Sequence, residues 1–292
     1  MNTKKPKIII CGALQNCEKS LPKVFQNLEN ISSLAEDVGY IFVENDSMDN
    51  TKFLLKNFGR NKHNFNLINL DGLNAIPVRT IKLENIHNIY LETIRHNNVL
   101  KDFDYLVIID MDKSGEYLIN IQEISNAIEF LSSSPTRAAV FANQIGTYYD
   151  MWALRHPLKC PSDVWEEVLD CVIKYKYSDA HAFAETFEKK LFSIERSEDP
   201  IKVDSAFGGL GIYKMKFVLE NPNPYLGYKI KTLYQEDGTL RYAKWQICEH
   251  VHFHAGIKSL GGEMFIYPSL INGDSHSSGL NFTASAFRGL LF

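Results

Sequence analysis

Two aspartates one residue apart, Asp110 and Asp112, close the apolar run Tyr105-Leu106-Val107-Ile108-Ile109. Paired carboxylates at the end of a buried strand suffer desolvation and mutual repulsion unless a cation lies between or beside them. A divalent ion satisfies both. Mg²⁺ or Mn²⁺ prefers oxygen ligands, keeps open positions and bridges diphosphate oxygens, so the pair suits chemistry in which charge builds on a phosphate group. The competing account is a strand end with two solvated or helix-capping acids, because so short a motif arises often by chance.

Three other segments carry chemistry. Asp150, Trp152 and Arg155 lie close together in YYDMWALR. Aromatic faces stack on the apolar face of sugars while carboxylates accept from hydroxyls, and core packing is the alternative for Trp152. In VDSAFGGLGIYK, Asp204 precedes Gly208-Gly209. Glycines permit positive φ and close backbone approach, which suits a loop lining an acceptor as well as it suits a hairpin turn. In WQICEHVHFHAG, an extended chain would set His250, His252 and His254 on one face. Neighbouring side chains on one strand do not surround a tetrahedral ion, and no further cysteine or histidine stands at zinc spacing, which argues against zinc there.

These residues need a scaffold, and the first half of the chain supplies one. Lys7 to Cys11, Tyr40 to Val43, Phe65 to Leu70 and Asp104 to Asp110 read as strands. Between them, helical patterns begin at Ser20-Leu21-Pro22, near Asp49, and over Thr80 to Leu100. Alternating strands and helices predict a mostly parallel α/β sheet, with ligands in the crevice beyond the carboxyl ends of the strands. Glu44, Asp46 and Asp49 follow one strand and Asp110 and Asp112 another, so two distant sets of acids are expected at one cleft. Asp49 also reads as a helix cap.

Composition narrows the class. The 292 residues are 45% hydrophobic and 23% charged, an ordinary globular balance. A net charge of −4, with the only dense basic run at Lys4 to Lys7, leaves no footprint for nucleic acid. Five cysteines at scattered spacings argue against a disulfide framework. No segment approaches the roughly 18 apolar residues that span a bilayer, and the apolar run at the start is short for a signal peptide. A cytoplasmic location is expected, with peripheral association at a membrane left open.

The segments IIICGALQNCEKSLPKVFQNLENI, YIFVENDSMDNTKFLL and VIIDMD together resemble the GT-A fold glycosyltransferases, and most of all the members with an ENDSxDNT loop, among them fungal capsule-associated mannosyltransferases. The resemblance implies a Rossmann-like central sheet in a single domain, with residues 1–112 as the nucleotide-binding half and 113–292 as an acceptor half ending in a C-terminal lid. It implies Glu44 and Asp46 at the nucleobase or ribose, Arg79 near the diphosphate, and Asp110-Met111-Asp112 at the donor. Asp110 and Asp112 would hold Mn²⁺ or Mg²⁺, with His254 or His252 completing the ion's shell. Asp150, Trp152, Gly208 and Gly209 would meet the acceptor. Glu249 and Asp204 are the base candidates, although Cys248-Glu249-His250 departs from the family's acid pair.

The activity so implied is metal-dependent transfer of a hexosyl or pentosyl group from a UDP- or GDP-linked donor to a hydroxyl of a glycan, lipid-linked or protein-linked acceptor. Two rivals stand beside it. A nucleotidyltransferase making sugar nucleotides would need a lysine- and glycine-rich phosphate loop after the first strand, which is missing. A non-catalytic nucleotide- or glycan-binding protein would tolerate the altered acid pair.

Overall fold

A computed structural model describes residues 5–234 and 237–274. Four strands, β1 (Lys7–Leu14), β2 (Asp37–Asn45), β3 (Phe65–Leu70) and β4 (Tyr105–Ile109), run parallel in the order β3-β2-β1-β4. Their crossovers are α1 (Leu21–Ser33), α2 (Thr51–Gly59) and α3 (Arg79–His96). The sheet continues past β4 through β7 (Leu210–Lys214), β5 (Arg137–Ile145), β10 (Glu263–Asp274) and β6 (Ile201–Val203), eight strands among the described residues. Only β7 and β6 run against the rest. The result is the expected α/β architecture: a large, mostly parallel sheet flanked by helices.

Side-chain alternation explains the layering. Ile8 and Ile10 of β1 enter one apolar core with Val24 and Leu28 of α1, whereas Ile9 and Cys11 enter the opposite core with Tyr90 and Ile94 of α3. A strand covered on both faces must be apolar throughout, as β1 and β4 are. Helix α4 (Ile121–Ser132), started by Asn120 accepting from the Gln122 amide, covers the α1 side. On the α3 side lie α5 (Val164–Tyr175), α6 (Asp179–Thr186), α7 (Met215–Glu220) and α8 (Glu249–Ser259). Strands β8 (Tyr228–Tyr234) and β9 (Leu240–Gln246) form a separate hairpin.

One expectation is corrected. Residues 245–256 do not continue as a strand: β9 ends at Gln246 and α8 begins at Glu249, with Cys248 as its N-cap in extended conformation. Helical spacing places His250 and His254 one turn apart and turns His252 away from them. Of the proposed C-terminal lid, residues 275–292 lie outside the described residues.

Candidate active site

The inserted strand β7 positions the site. Antiparallel pairing sets Ile109 opposite Leu210, so the Gly208-Gly209 turn that feeds β7 meets the carboxyl end of β4, where the Asp110 amide donates to the Gly209 carbonyl at 2.9 Å. Gly208 and Gly209 have φ of +66° and +84°. A methyl on Gly209 would stand 3.1 Å from Asp110 Oδ2 and 2.9 Å from the Tyr149 hydroxyl. Beyond β4 the chain turns through a short 3₁₀ helix (Lys113–Glu116) that Asp112 caps by accepting from the Ser114 amide at 2.9 Å. Gly115 packs on the Asp110 carbonyl with no room for a Cβ.

The facing wall comes from the segment after β5. Arg155 is bridged to Ser205, and its guanidinium donates to Asp163, the N-cap of α5, at 3.0 Å. That anchorage brings Asp150 to the glycine turn, where Oδ2 accepts from the Gly208 amide at 2.9 Å. The Gly208 carbonyl is gripped by Gln144 and Asn272. Between the walls is a cavity of about 450 Å³, lined by Arg79, Asp110, Asp112, Asp150, Trp152 and Glu249 among others.

Among the described residues, four carboxylates thus share a cleft with one guanidinium. Burial drives Asp110 well above the usual carboxylate range, Asp112 adds to this, and Arg79 opposes it. Asp150 is raised by burial and restrained by the Gly208 and Ala153 amides. Glu249, 4% exposed, is pushed up to about 7 by burial, again against the pull of Arg79. Arg79, at the first turn of α3, is exposed.

The residues present fit a divalent cation at Asp110 and Asp112. The Asp110 carboxylate has no hydrogen-bond partner among the described residues, its ionised form is disfavoured by Asp112, and the exposed Asp112 spends one oxygen on its cap. An all-oxygen donor set of this kind suits Mg²⁺ or Mn²⁺.

Several sequence-predicted residues take other places. Glu44 is fully buried, accepting from the Ser47 amide at 2.7 Å and pairing with Lys52 at 3.4 Å. Asp46, at φ +51°, clamps the loop before α3 by accepting from the amides of Gly72 and Asn74 at 2.6 and 2.8 Å. Asp49 accepts from the Thr51 and Glu18 amides. Met111 points into the α1-side core, over Gly12. Asp204 is at a separate surface hollow, paired with Lys258 at 2.6 Å, and so does not share the cleft with Glu249. His254 lies behind the cleft, with Nδ1 2.8 Å from Ser205 Oγ and Nε2 3.0 Å from the Tyr213 hydroxyl, which leaves neither nitrogen for an ion. His252 lies on another side of α8 and contributes its backbone carbonyl to Asn223. The helix brings His250 to the cleft instead.

Other cleft residues escaped the sequence reading. Leu83 and His87 line the cavity with Arg79. Their i, i+4, i+8 spacing on one face of α3 was the available signal. Tyr149, Trp165 and Phe207 also line it and look like ordinary core aromatics in sequence.

No protein-family profile matches the chain, and no curated protein matches it. Solved structures with similarity include a mannosyltransferase, PcManGT from Pyrobaculum calidifontis, in complex with GDP-Man and Mn²⁺, at 14% identity over 98% of this chain and 61% of that one, TM-score 0.49. S. aureus TarS 1-349 is similar at 12% identity over 75% of this chain and 50% of that one, TM-score 0.41. Glucosyl-3-phosphoglycerate synthase from Mycobacterium tuberculosis, in complex with UDP, is similar at 14% identity over 73% of this chain and 58% of that one, TM-score 0.35. The chain therefore spans 61% or less of the length of each of these three structures.

Proposed function

We propose that the protein is a GT-A type glycosyltransferase that moves a sugar from a UDP- or GDP-linked donor to a hydroxyl of a glycan, lipid-linked or protein-linked acceptor. The observation that carries this reading is the meeting, in one cleft at the carboxyl ends of parallel strands, of the Asp110/Asp112 pair, the free Arg79 and the facing Asp150 and Glu249. Ligands of open α/β sheets bind at this place.

Asp110 and Asp112 would hold Mn²⁺ or Mg²⁺, which supplies charge neutralisation for the diphosphate. Arg79 reaches the same diphosphate from α3 with a guanidinium that no carboxylate of the described residues holds; charge developing on the leaving group strengthens that contact. Gly208 and Gly209 are buried and lie outside the cavity lining, so in place of the expected acceptor contact they let the side chains of Asp110, Tyr149 and Asp150 close on the turn. Asp150, fixed by two amides, orients a hydroxyl, and Trp152, Trp165 and Phe207 offer apolar faces to sugar rings.

In an inverting transfer, Glu249 takes the acceptor hydroxyl proton as the oxygen bonds to the anomeric carbon and the diphosphate departs. Asp46 acts on the donor through the loop it clamps. The test is release of UDP or GDP from a panel of sugar nucleotides with Mn²⁺ and mixed glycan acceptors. Sugar-dependent release by the wild type, lost in Glu249→Gln, is expected. Metal-independent binding of nucleotide without release from any donor would favour the non-catalytic alternative.

A further inference from the structure

At the inner end of the cleft, three groups from two helices converge. His87 Nδ1 of α3 lies 3.6 Å from Glu249 Oε1, and His250 Nε2 of α8 lies 3.5 Å from the same oxygen. The three donor atoms are all within 4.8 Å of one another. Each residue is at least 95% buried, and His87 Nδ1 has no hydrogen-bond partner among the described residues. These separations are too long for good hydrogen bonds. Ligand atoms about 2.0–2.1 Å from a tetrahedral ion stand roughly 3.3–3.4 Å apart; the two distances to Glu249 Oε1 are close to this, and binding draws the two imidazole nitrogens, which stand within 4.8 Å, to the same separation. Converging buried donor atoms without hydrogen bonds between them are costly unless a cation sits among them.

We propose that His87, Glu249 and His250 bind a zinc-class transition-metal ion, separate from the carboxylate site at Asp110 and Asp112, with an open coordination position facing the cleft. Two imidazoles and one carboxylate make a borderline-soft set that favours zinc or cobalt over magnesium. Phe207 stacks on the His250 ring at 4.2 Å and fixes its plane. Arg79 opposes a further positive charge here, and a Glu249 carboxylate bound to the ion would offset it. Three histidines in a row on a strand could not surround a tetrahedral ion; the helical course of α8, and His87 from α3, remove that obstacle. An ion here occupies the oxygen that Glu249 offers a proton in the transfer reading, so zinc-class ions should inhibit transfer. That consequence rests on the transfer reading, whereas the binding does not.

Chelator-stripped full-length protein, held in excess Mg²⁺, is titrated with Co²⁺ and followed by visible absorption and paramagnetic NMR. One equivalent is expected to bind with the intense absorption of a low-coordinate ion, to be displaced by Zn²⁺, and to show two hyperfine-shifted imidazole N–H resonances in the wild type. His87→Gln and His250→Gln should each weaken Co²⁺ by more than about 100-fold, beyond the 10–100-fold effect typical of outer-shell partners, while Asp112→Asn leaves it unchanged. Absence of saturable Co²⁺ uptake, fewer than two shifted imidazole resonances, or uptake lost only in Asp112→Asn would overturn the assignment whether or not the protein transfers sugar.

Discussion

Glu249 and Gly209 are the residues whose substitution separates the roles in the cleft. Glu249→Gln keeps the shape of a buried side chain and removes its capacity to take a proton, so transfer should fall by about 10²–10⁴-fold with donor affinity nearly intact, as single-turnover assays and nucleotide titration would show. A parallel loss of donor affinity would move Glu249 from the proton to the donor. Gly209→Ala places a methyl against Asp110 and Tyr149 at a left-handed φ. It should cost about 1–2 kcal/mol of stability from backbone strain alone and weaken nucleotide binding, measured by denaturant melts and calorimetry. Asp110, Asp112 and Gly209 were legible because an acid pair after an apolar run and a Gly-Gly pair are local signals. His87 was not, since nothing local tells a cleft histidine on a helix from a core one.

At the scale of elements, the loop between β3 and α3 links the ENDS segment to the cleft. Asp46 holds the Gly72 and Asn74 amides, and the chain then runs into Arg79. Asp46→Asn retains tolerance of the left-handed backbone but replaces one acceptor oxygen with a donor. Faster hydrogen exchange at Gly72 and Asn74, with weaker nucleotide affinity, is the expected outcome; unchanged exchange would show that the clamp is dispensable. The βα units up to β4 could be read from periodicity because β1, β2 and β4 are buried on both faces and each helix has one apolar side. The segment 245–256 misled, because alternating histidines fit a strand's period while the helix starts after Cys248, an N-cap that makes no side-chain capping hydrogen bond.

At the scale of the whole molecule, one buried histidine links the second half of the sheet to α8. His254 bonds Ser205 and Tyr213 with both ring nitrogens, and burial lowers its pKa to about 3. The folded state therefore binds this proton less readily than the unfolded chain, whose value is about 6.5. The contribution is complete above that pH and is lost as pH falls from there toward 3, at up to about 1.4 kcal/mol per pH unit. Denaturant midpoints measured between pH 7 and 4 should show this slope, and a His254→Phe variant should show a shallower one. The sheet order beyond β4 was not legible, because β7 enters between β4 and β5 from a hundred residues downstream, and only that insertion delivers Gly208 and Gly209 to Asp110. Among the described residues no helix is long and apolar enough to cross a membrane.

In the proposed transfer, Asp110 and Asp112 organise a nucleotide-diphosphate site through a divalent ion. Asp112→Asn isolates that role, because the asparagine oxygen can still accept from the Ser114 amide and the exposed position leaves the fold in place. Isothermal titration with UDP- and GDP-sugars, with and without Mn²⁺, should show Mn²⁺-dependent binding in the wild type and none in Asp112→Asn, at equal melting temperature. Undiminished Mn²⁺-dependent binding in Asp112→Asn would remove the metal from this pair of carboxylates.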